Sequence, residues 1–265
     1  MSNSKQKINK LINNPKICYN KRMDTREQNY ADFISTVSHE LRTPLTSIRG
    51  FSQTMLQSWD KIDDESKKKF LKIIEEQSNR LINLVENMLS VTKLQSSKDN
   101  FVYKETNIKP LLEQTISIVK NQYKTHNFDL DVHKNIPPVF TDRDKFQQVM
   151  TNLIENAAKY SDENSTVYIT VTPSDNPHHI SIKVTDTGIG IDEKDYEKIF
   201  TKFSRIDNPL TRKVQGSGLG LYITKNIVEK MDGTISVCSK DNKTTFEVVL
   251  PVGNMEDYAR AKCSQ

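Results

Sequence analysis

Glycine is scarce in this chain: its 265 residues include eight. Glycine costs backbone entropy, so a chain this poor in it keeps it for turns, positive φ and close backbone approach. Five of the eight fall in two short clusters, Asp186-Thr187-Gly188-Ile189-Gly190-Ile191 and Gly216-Ser217-Gly218-Leu219-Gly220-Leu221. Cysteine is scarcer still. Cys18, Cys238 and Cys263 are odd in number and far apart, which excludes a disulfide framework and a metal-ligand spacing and fits a reducing compartment. No run reaches the roughly 18 apolar residues of a membrane span. The N-terminus is polar and basic, without the apolar core of a signal peptide. The expectation is a cytoplasmic chain, or the intracellular portion of a longer membrane-bound protein. Charge of one sign is also lacking: 38 basic against 34 acidic residues leave +4, with no basic stripe that would argue for nucleic acid. The 35% hydrophobic content is enough for packed cores, while a mean hydropathy of −0.64 implies much solvated helix.

Residues 1–24 are Lys/Asn-rich with weak apolar periodicity and read as a polar lead-in. From about Thr25 to Trp59 a helix is expected. Phe33, Val37, Leu41, Leu45, Ile48 and Met55 recur at three- and four-residue steps, with Phe51 and Leu56 alongside. Asp60-Lys61-Ile62-Asp63-Asp64 breaks the run, with Asp63 or Asp64 as the N-cap of a second helix. That helix carries Phe70, Ile74, Gln77, Leu81, Leu84, Met88, Val91 and Gln95, steps of four and three that alternate without a slip. Such regularity is a heptad seam. A lone two-helix hairpin buries little, and two of them make a four-helix bundle. Residues 25–97 therefore predict a homodimer.

Ser96-Ser97-Lys98-Asp99-Asn100 reads as a linker. Beyond it helices are expected over Lys109–Thr125, Asp144–Tyr160 and Leu219–Met231. Strands are expected over Phe128–Val132, Thr166–Thr172, Ile180–Asp186, Thr234–Cys238 and Thr244–Leu250. Short turns such as Asp241-Asn242 favour antiparallel pairing. Residues 100–251 thus read as an α/β sandwich with helices on one face of a mixed sheet, and 252–265 as a polar tail.

Two groups of residues carry chemistry. The first is Ser38-His39-Glu40-Leu41-Arg42-Thr43-Pro44-Leu45. At 100° per residue His39 lies about 200° from Val37 and Leu41, so it faces away from the apolar stripe. Thr43 is one turn further along the same face. Pro44 removes a helical N–H just past the histidine. An exposed imidazole attacks phosphorus well if a base takes its other proton, and Glu40 can do so.

The second group surrounds the glycines. Asn152 and Asn156 share a helix face, followed by Lys159 and Tyr160. Amide oxygens are hard ligands that suit a magnesium ion, Mg²⁺, and leave room for phosphate and water. Lys159 offers a point charge for phosphate and Tyr160 a face for a base or ribose. Asp186 ends a strand and can accept from an exocyclic amine such as adenine's. Lys198-Ile199-Phe200-Thr201-Lys202-Phe203-Ser204-Arg205 precedes Ile206–Gln215, a candidate lid with Arg205, Arg212 and Lys213 for terminal phosphates. Gly216, Gly218 and Gly220 then open a helix whose N-terminus favours anions. No Gly-Lys-Ser/Thr follows, so this is not a Walker loop.

Together these motifs resemble the core of a two-component sensor histidine kinase. Ser38–Leu45 resembles that family's H box, Asn152–Tyr160 its N box, Asp186–Ile191 its G1 box, Lys198–Arg205 its F box and Gly216–Leu221 its G2 box, in the same order across about residues 25–251. The resemblance implies a dimerisation and phosphotransfer hairpin followed by the ATP-binding fold shared with gyrase and MutL. It implies Asn156 as the main Mg²⁺ ligand, Asn152 near the phosphates and Asp186 on the adenine amine. Lys159, Tyr160, Gly188, Gly190, Phe203, Arg205, Gly216, Gly218, Leu219 and Gly220 become nucleotide contacts. Thr245 matches a threonine that supports the adenine site. Glu40 matches the base, and Thr43 a water-positioning residue for phosphatase activity. The implied activity is ATP-dependent phosphorylation of His39, then transfer to an aspartate of a response regulator's receiver domain, with the linker near Ser96 letting the ATP domain swing. Two rivals keep the fold. One is a catalytically weak, nucleotide-dependent module that binds a partner, and intact His39 and Glu40 argue against it. The other is a protein whose main output is dephosphorylation of the receiver, which Thr43 permits.

Overall fold

A seam of alternating threes and fours needs a partner helix, and the first half of the chain supplies one. The computed structural model describes residues 15–95, 101–206 and 216–253, with side chains described from Phe33 in the first helix and up to Leu94 in the second. Two compact units divide after Val85. Helix α1, Pro15–Ser58, begins ahead of the expected Thr25 and passes through Pro44 unbroken. A 3-10 turn at Trp59–Lys61 leads to helix α2, Asp64–Gln95. The turn is fastened by Asp63, whose carboxylate accepts from Ser66 N at 2.8 Å and Ser66 Oγ at 2.7 Å. These bonds favour the charged form and hold the Asp63 carboxyl below its usual range. Phe51 and Phe70 meet across the hairpin with ring centroids 5.1 Å apart. Met55 and Leu84 are buried, whereas Leu45 and Leu56, counted with the stripe in the sequence, face outwards. Leu71, Ile82, Val85 and Leu89 form a second apolar stripe on α2, each about half exposed.

The second unit is the expected α/β sandwich. Its elements are β1 Tyr103–Thr106, α3 Ile108–Gln122, β2 Asn127–Val132, β3 Val139–Asp142, α4 Arg143–Tyr160, β4 Thr166–Pro173, β5 His179–Asp186, α5 Gly220–Lys230, β6 Thr234–Lys240 and β7 Lys243–Pro251. The five-stranded sheet has the order β2-β4-β5-β7-β6. β2 runs parallel to β4, and the remaining pairs are antiparallel. Asn107 and Asp142 cap α3 and α4 through side-chain oxygens that accept backbone N–H bonds. One face of the sheet is dry. Val167 and Ile169, Ile182 and Val184, and Val248 and Leu250 alternate inwards against Leu112, Phe146, Met150, Leu153 and Ile227 of the helices. A separate two-stranded sheet, β1 with β3, was not expected. β3 follows Pro137-Pro138 and all four of its residues are buried, so it carries no alternation to read. The tail from 254 lies outside the described residues.

Candidate functional site

The second unit gathers its motifs at one end of α4. Asn152 is anchored: its Nδ2 donates to Thr224 Oγ1 at 2.8 Å. Its Oδ1 lies against the backbone of Gly220, so close that a Cβ there would collide with it. A side chain at position 220 would displace the Asn152 amide from its bond to Thr224. Asn156, half-buried, follows one turn later. Lys159 places Nζ 5.6 Å from the Tyr160 ring centroid and beside Gly216. Burial pushes the Tyr160 phenol up, and the charge of Arg205 opposes that shift.

The first glycine loop docks on the C-terminal end of α4. Ile189 N donates to Tyr160 O at 3.3 Å, and Gly188 packs so tightly on that carbonyl that no Cβ would fit. Gly188 N also donates to Asp186 Oδ1 at 2.8 Å. Gly190 and Gly218 adopt positive φ, and Gly218 abuts the backbone of Phe203 and Ser204. Leu219 is fully buried just before α5. Arg205 and Ile206 are described, whereas 207–215, with Arg212 and Lys213, lie outside the described residues.

Asp186 is 4% exposed, and burial pushes its carboxyl up to about 6 from 3.8 despite the bond from Gly188. A raised carboxyl favours the fold fully below pH 3.8 and loses that contribution as pH rises through about 6. The charged form is therefore held at a cost at neutral pH, as befits a group that awaits a donor. Asp186→Asn should stabilise the ligand-free chain at pH 7.5 by on the order of 1–3 kcal/mol, with the gain shrinking towards pH 4. Chemical denaturation at several pH values checks this. A pH-independent difference would show that the shift comes from elsewhere.

Thr245, matched in the sequence to a threonine that supports the adenine site, faces away from the side of the sheet on which Asp186 is buried. It pairs with Thr185 in register, and their hydroxyls lie 2.9 Å apart on the outer face of the sheet. The residue opposite Asp186 is Thr244, 4% exposed and on the inner face. Strand side chains alternate, so an error of one position moves a residue to the other side of the sheet. Thr244 Oγ1 lies 3.0 Å from Ser239 Oγ, which in turn accepts from Ile191 N at 3.0 Å. Tyr196 OH accepts from Ser239 N at 2.6 Å. Ser239, Tyr196, Thr224 and Thr244 were all missed. Each is an ordinary polar residue in a strand, turn or helix, and only the alternation of β7 could have pointed to Thr244.

The donor set suits a nucleotide with a hard cation: amide oxygens on α4, the buried carboxylate of Asp186, and the cations of Lys159 and Arg205. Among the described residues no cluster of three His, Cys, Asp or Glu could hold a metal ion. In the first unit His39 is exposed on α1, Glu40 is half-buried, and Thr43 Oγ1 donates to His39 O at 3.4 Å. Among the described residues no helix is long and apolar enough to cross a membrane.

Comparison with known proteins gives the same two parts. Residues 30–97 match the family described as "His Kinase A (phospho-acceptor) domain". Residues 141–254 match "Histidine kinase-, DNA gyrase B-, and HSP90-like ATPase". The sensor histidine kinase WalK of Bacillus subtilis is 34% identical over 231 residues, 85% of this chain and 37% of that protein. The chain thus spans little more than a third of that relative's length. Histidine kinase AdeS of Acinetobacter baumannii superposes with TM-score 0.63 at 26% identity, over 82% of this chain and 98% of that one. Histidine kinase ThkA, solved in complex with the response regulator protein TrrA, superposes with TM-score 0.70 at 26% identity, over 89% of this chain and 66% of that one. The chain belongs to the sensor histidine kinases and carries their two-part core, a phospho-acceptor hairpin followed by an ATPase domain.

Proposed function

We propose that the chain phosphorylates its own His39 from ATP and passes the phosphoryl group to an aspartate of a response regulator. The observation that carries this reading is the convergence of Asn152, Tyr160, Asp186 and the two glycine loops around the end of α4, in one chain with an exposed histidine next to a carboxylate. In this reading Asp186 accepts from the adenine amine, supported by Thr244 rather than Thr245. Lys159 and Arg205 hold phosphate oxygens, and Gly216, Gly218 and Gly220 let backbone approach them. Asn156 would ligate Mg²⁺, with Asn152 fixed beside it; when bound, the ion neutralises charge on the phosphates. The γ-phosphorus–oxygen bond to ADP breaks as a phosphorus–nitrogen bond forms at His39 Nε2, and the Nδ1 proton goes to Glu40. Proton acceptance of this kind contributes typically ~10²–10⁴ in rate. The hairpin's exposed second stripe is covered by a second copy, giving a homodimeric four-helix bundle. Thr43 shares the His39 face and positions water when phosphate is removed from the receiver.

One experiment tests the reading. The chain is incubated with γ-labelled ATP and Mg²⁺, then chased with a receiver domain. Label should appear on the chain in an acid-labile, alkali-stable form and then move to the receiver. Thr43→Ala should keep both steps and slow release from the receiver about tenfold. Acid-stable label would point to a hydroxyl acceptor and defeat the proposal. Unlabelled chain that still binds ATP would favour the weakly catalytic binding module. Equal loss of labelling and release in Thr43→Ala would mean damage to the helix instead of a phosphatase role.

A further inference from the structure

Glu40 is tethered. Across the hairpin, 40 residues away in sequence, Arg80 of α2 donates from Nη2 to Glu40 Oε2 at 3.2 Å. Both side chains are largely shielded, at 24% and 30% exposure. The pair joins the helix that presents His39 to the helix behind it, and it does so at the residue next to the histidine. One carboxylate oxygen is used. Ion pairs at this degree of exposure add little to stability, so a clip for the hairpin is a weak account of it. Pro44 sharpens the need for a tether. It cannot donate to the carbonyl of Glu40, so the helix is missing a bond at that residue.

We propose that Arg80 is a positioning residue for the phosphorylation of His39. It holds the Glu40 carboxylate by one oxygen and leaves the other to accept the imidazole proton. Placement is where such a contact acts, because a base displaced by about 1 Å can cost up to 10²-fold in rate. Arg80 touches neither nucleotide nor imidazole in this scheme. It acts through Glu40, and the proposal rests on the reading of Glu40 as the base. A lysine at position 80 supplies the cation without the planar fork and should serve partly.

The test uses the full chain and initial rates of labelling from γ-labelled ATP. Arg80→Met keeps the apolar stem and removes the charge. It should lower kcat about tenfold and leave KM for ATP within twofold, since the nucleotide site is built from the second unit. Arg80→Lys should recover kcat to within about threefold of the unmodified chain. In a Glu40→Gln background, Arg80→Met should change kcat less than twofold, because its effect has no other route. Losses that add in the double variant, or an unchanged kcat in Arg80→Met, would overturn the proposal and leave Glu40 as the base. Full activity in Glu40→Gln would overturn the base assignment and this proposal with it. Thermal melts by circular dichroism accompany each rate. Equal falls in kcat and melting temperature for the Met and Lys variants would reduce Arg80 to a structural clip.

Discussion

His39→Gln should abolish self-phosphorylation while leaving ATP affinity within about twofold. The loss is expected to exceed roughly 10³-fold, because the other histidines, His126, His133, His178 and His179, lie outside the hairpin. The structure makes this substitution a clean one. His39 is exposed on α1, so its removal leaves no cavity and no orphaned polar partner. Glutamine has at least the helix propensity of histidine, so α1 should persist through this turn. The nearest neighbours of Gly188, Gly216, Gly218 and Gly220, namely Tyr160, Asp186, Lys159, Phe203, Ser204 and Asn152, belong to the second unit. ATP binding therefore reports on a part of the chain that the substitution does not touch. Glu40→Gln is the informative contrast. It should slow labelling by the ~10²–10⁴ typical of a lost general base, without eliminating it. Label retained on the glutamine variant, with unchanged acid lability, would move the acceptor to another histidine. Calorimetry showing lost ATP binding would mean that the two units are not independent.

Legibility from sequence followed physical regularity. The hairpin could be read because its seam repeats every seven residues, and the core strands because they alternate. β1 and β3 could not. β1 has four residues with two exposed in the middle, and β3 is buried throughout, so neither shows the period that marks a strand. The early start of α1 was also hidden, since Pro15–Asp24 has no apolar stripe. The glycine clusters were legible through scarcity. The structure shows what two of them do: Gly188 and Gly220 admit Tyr160 and Asn152 where a Cβ would clash. What sequence could not supply was which side of β7 faces Asp186. A one-residue shift separates Thr244 from Thr245, and both are threonines. Nor could it show long-range pairs. Ser239 with Ile191 and Arg80 with Glu40 join residues 48 and 40 positions apart. No local pattern records such separations.

The hairpin has two apolar stripes, and substitutions in them should fail differently. Leu81 and Leu84 belong to the inner seam, where Leu84 is 3% exposed. Leu81→Glu with Leu84→Glu places unpaired charges within the hairpin itself, at several kcal/mol each. That variant should lose hairpin helicity and self-phosphorylation together, while the sheet domain stays folded and binds ATP. Ile82 and Val85 belong to the outer stripe and are 55% and 46% exposed in a single chain. Covering a half-exposed side chain of this size is worth roughly 1 kcal/mol, so the stripe supports association without holding the hairpin's own fold. Ile82→Glu with Val85→Glu should therefore keep the helices and weaken the dimer by at least about 10³-fold in Kd, the equivalent of roughly 4 kcal/mol. Light scattering at micromolar concentration is the measurement. The unmodified chain should show twice the 30.5 kDa of one copy and the outer-stripe variant a single copy. A single copy for the unmodified chain would overturn the four-helix bundle. A dimeric outer-stripe variant with intact helices would move the interface to another face of the hairpin.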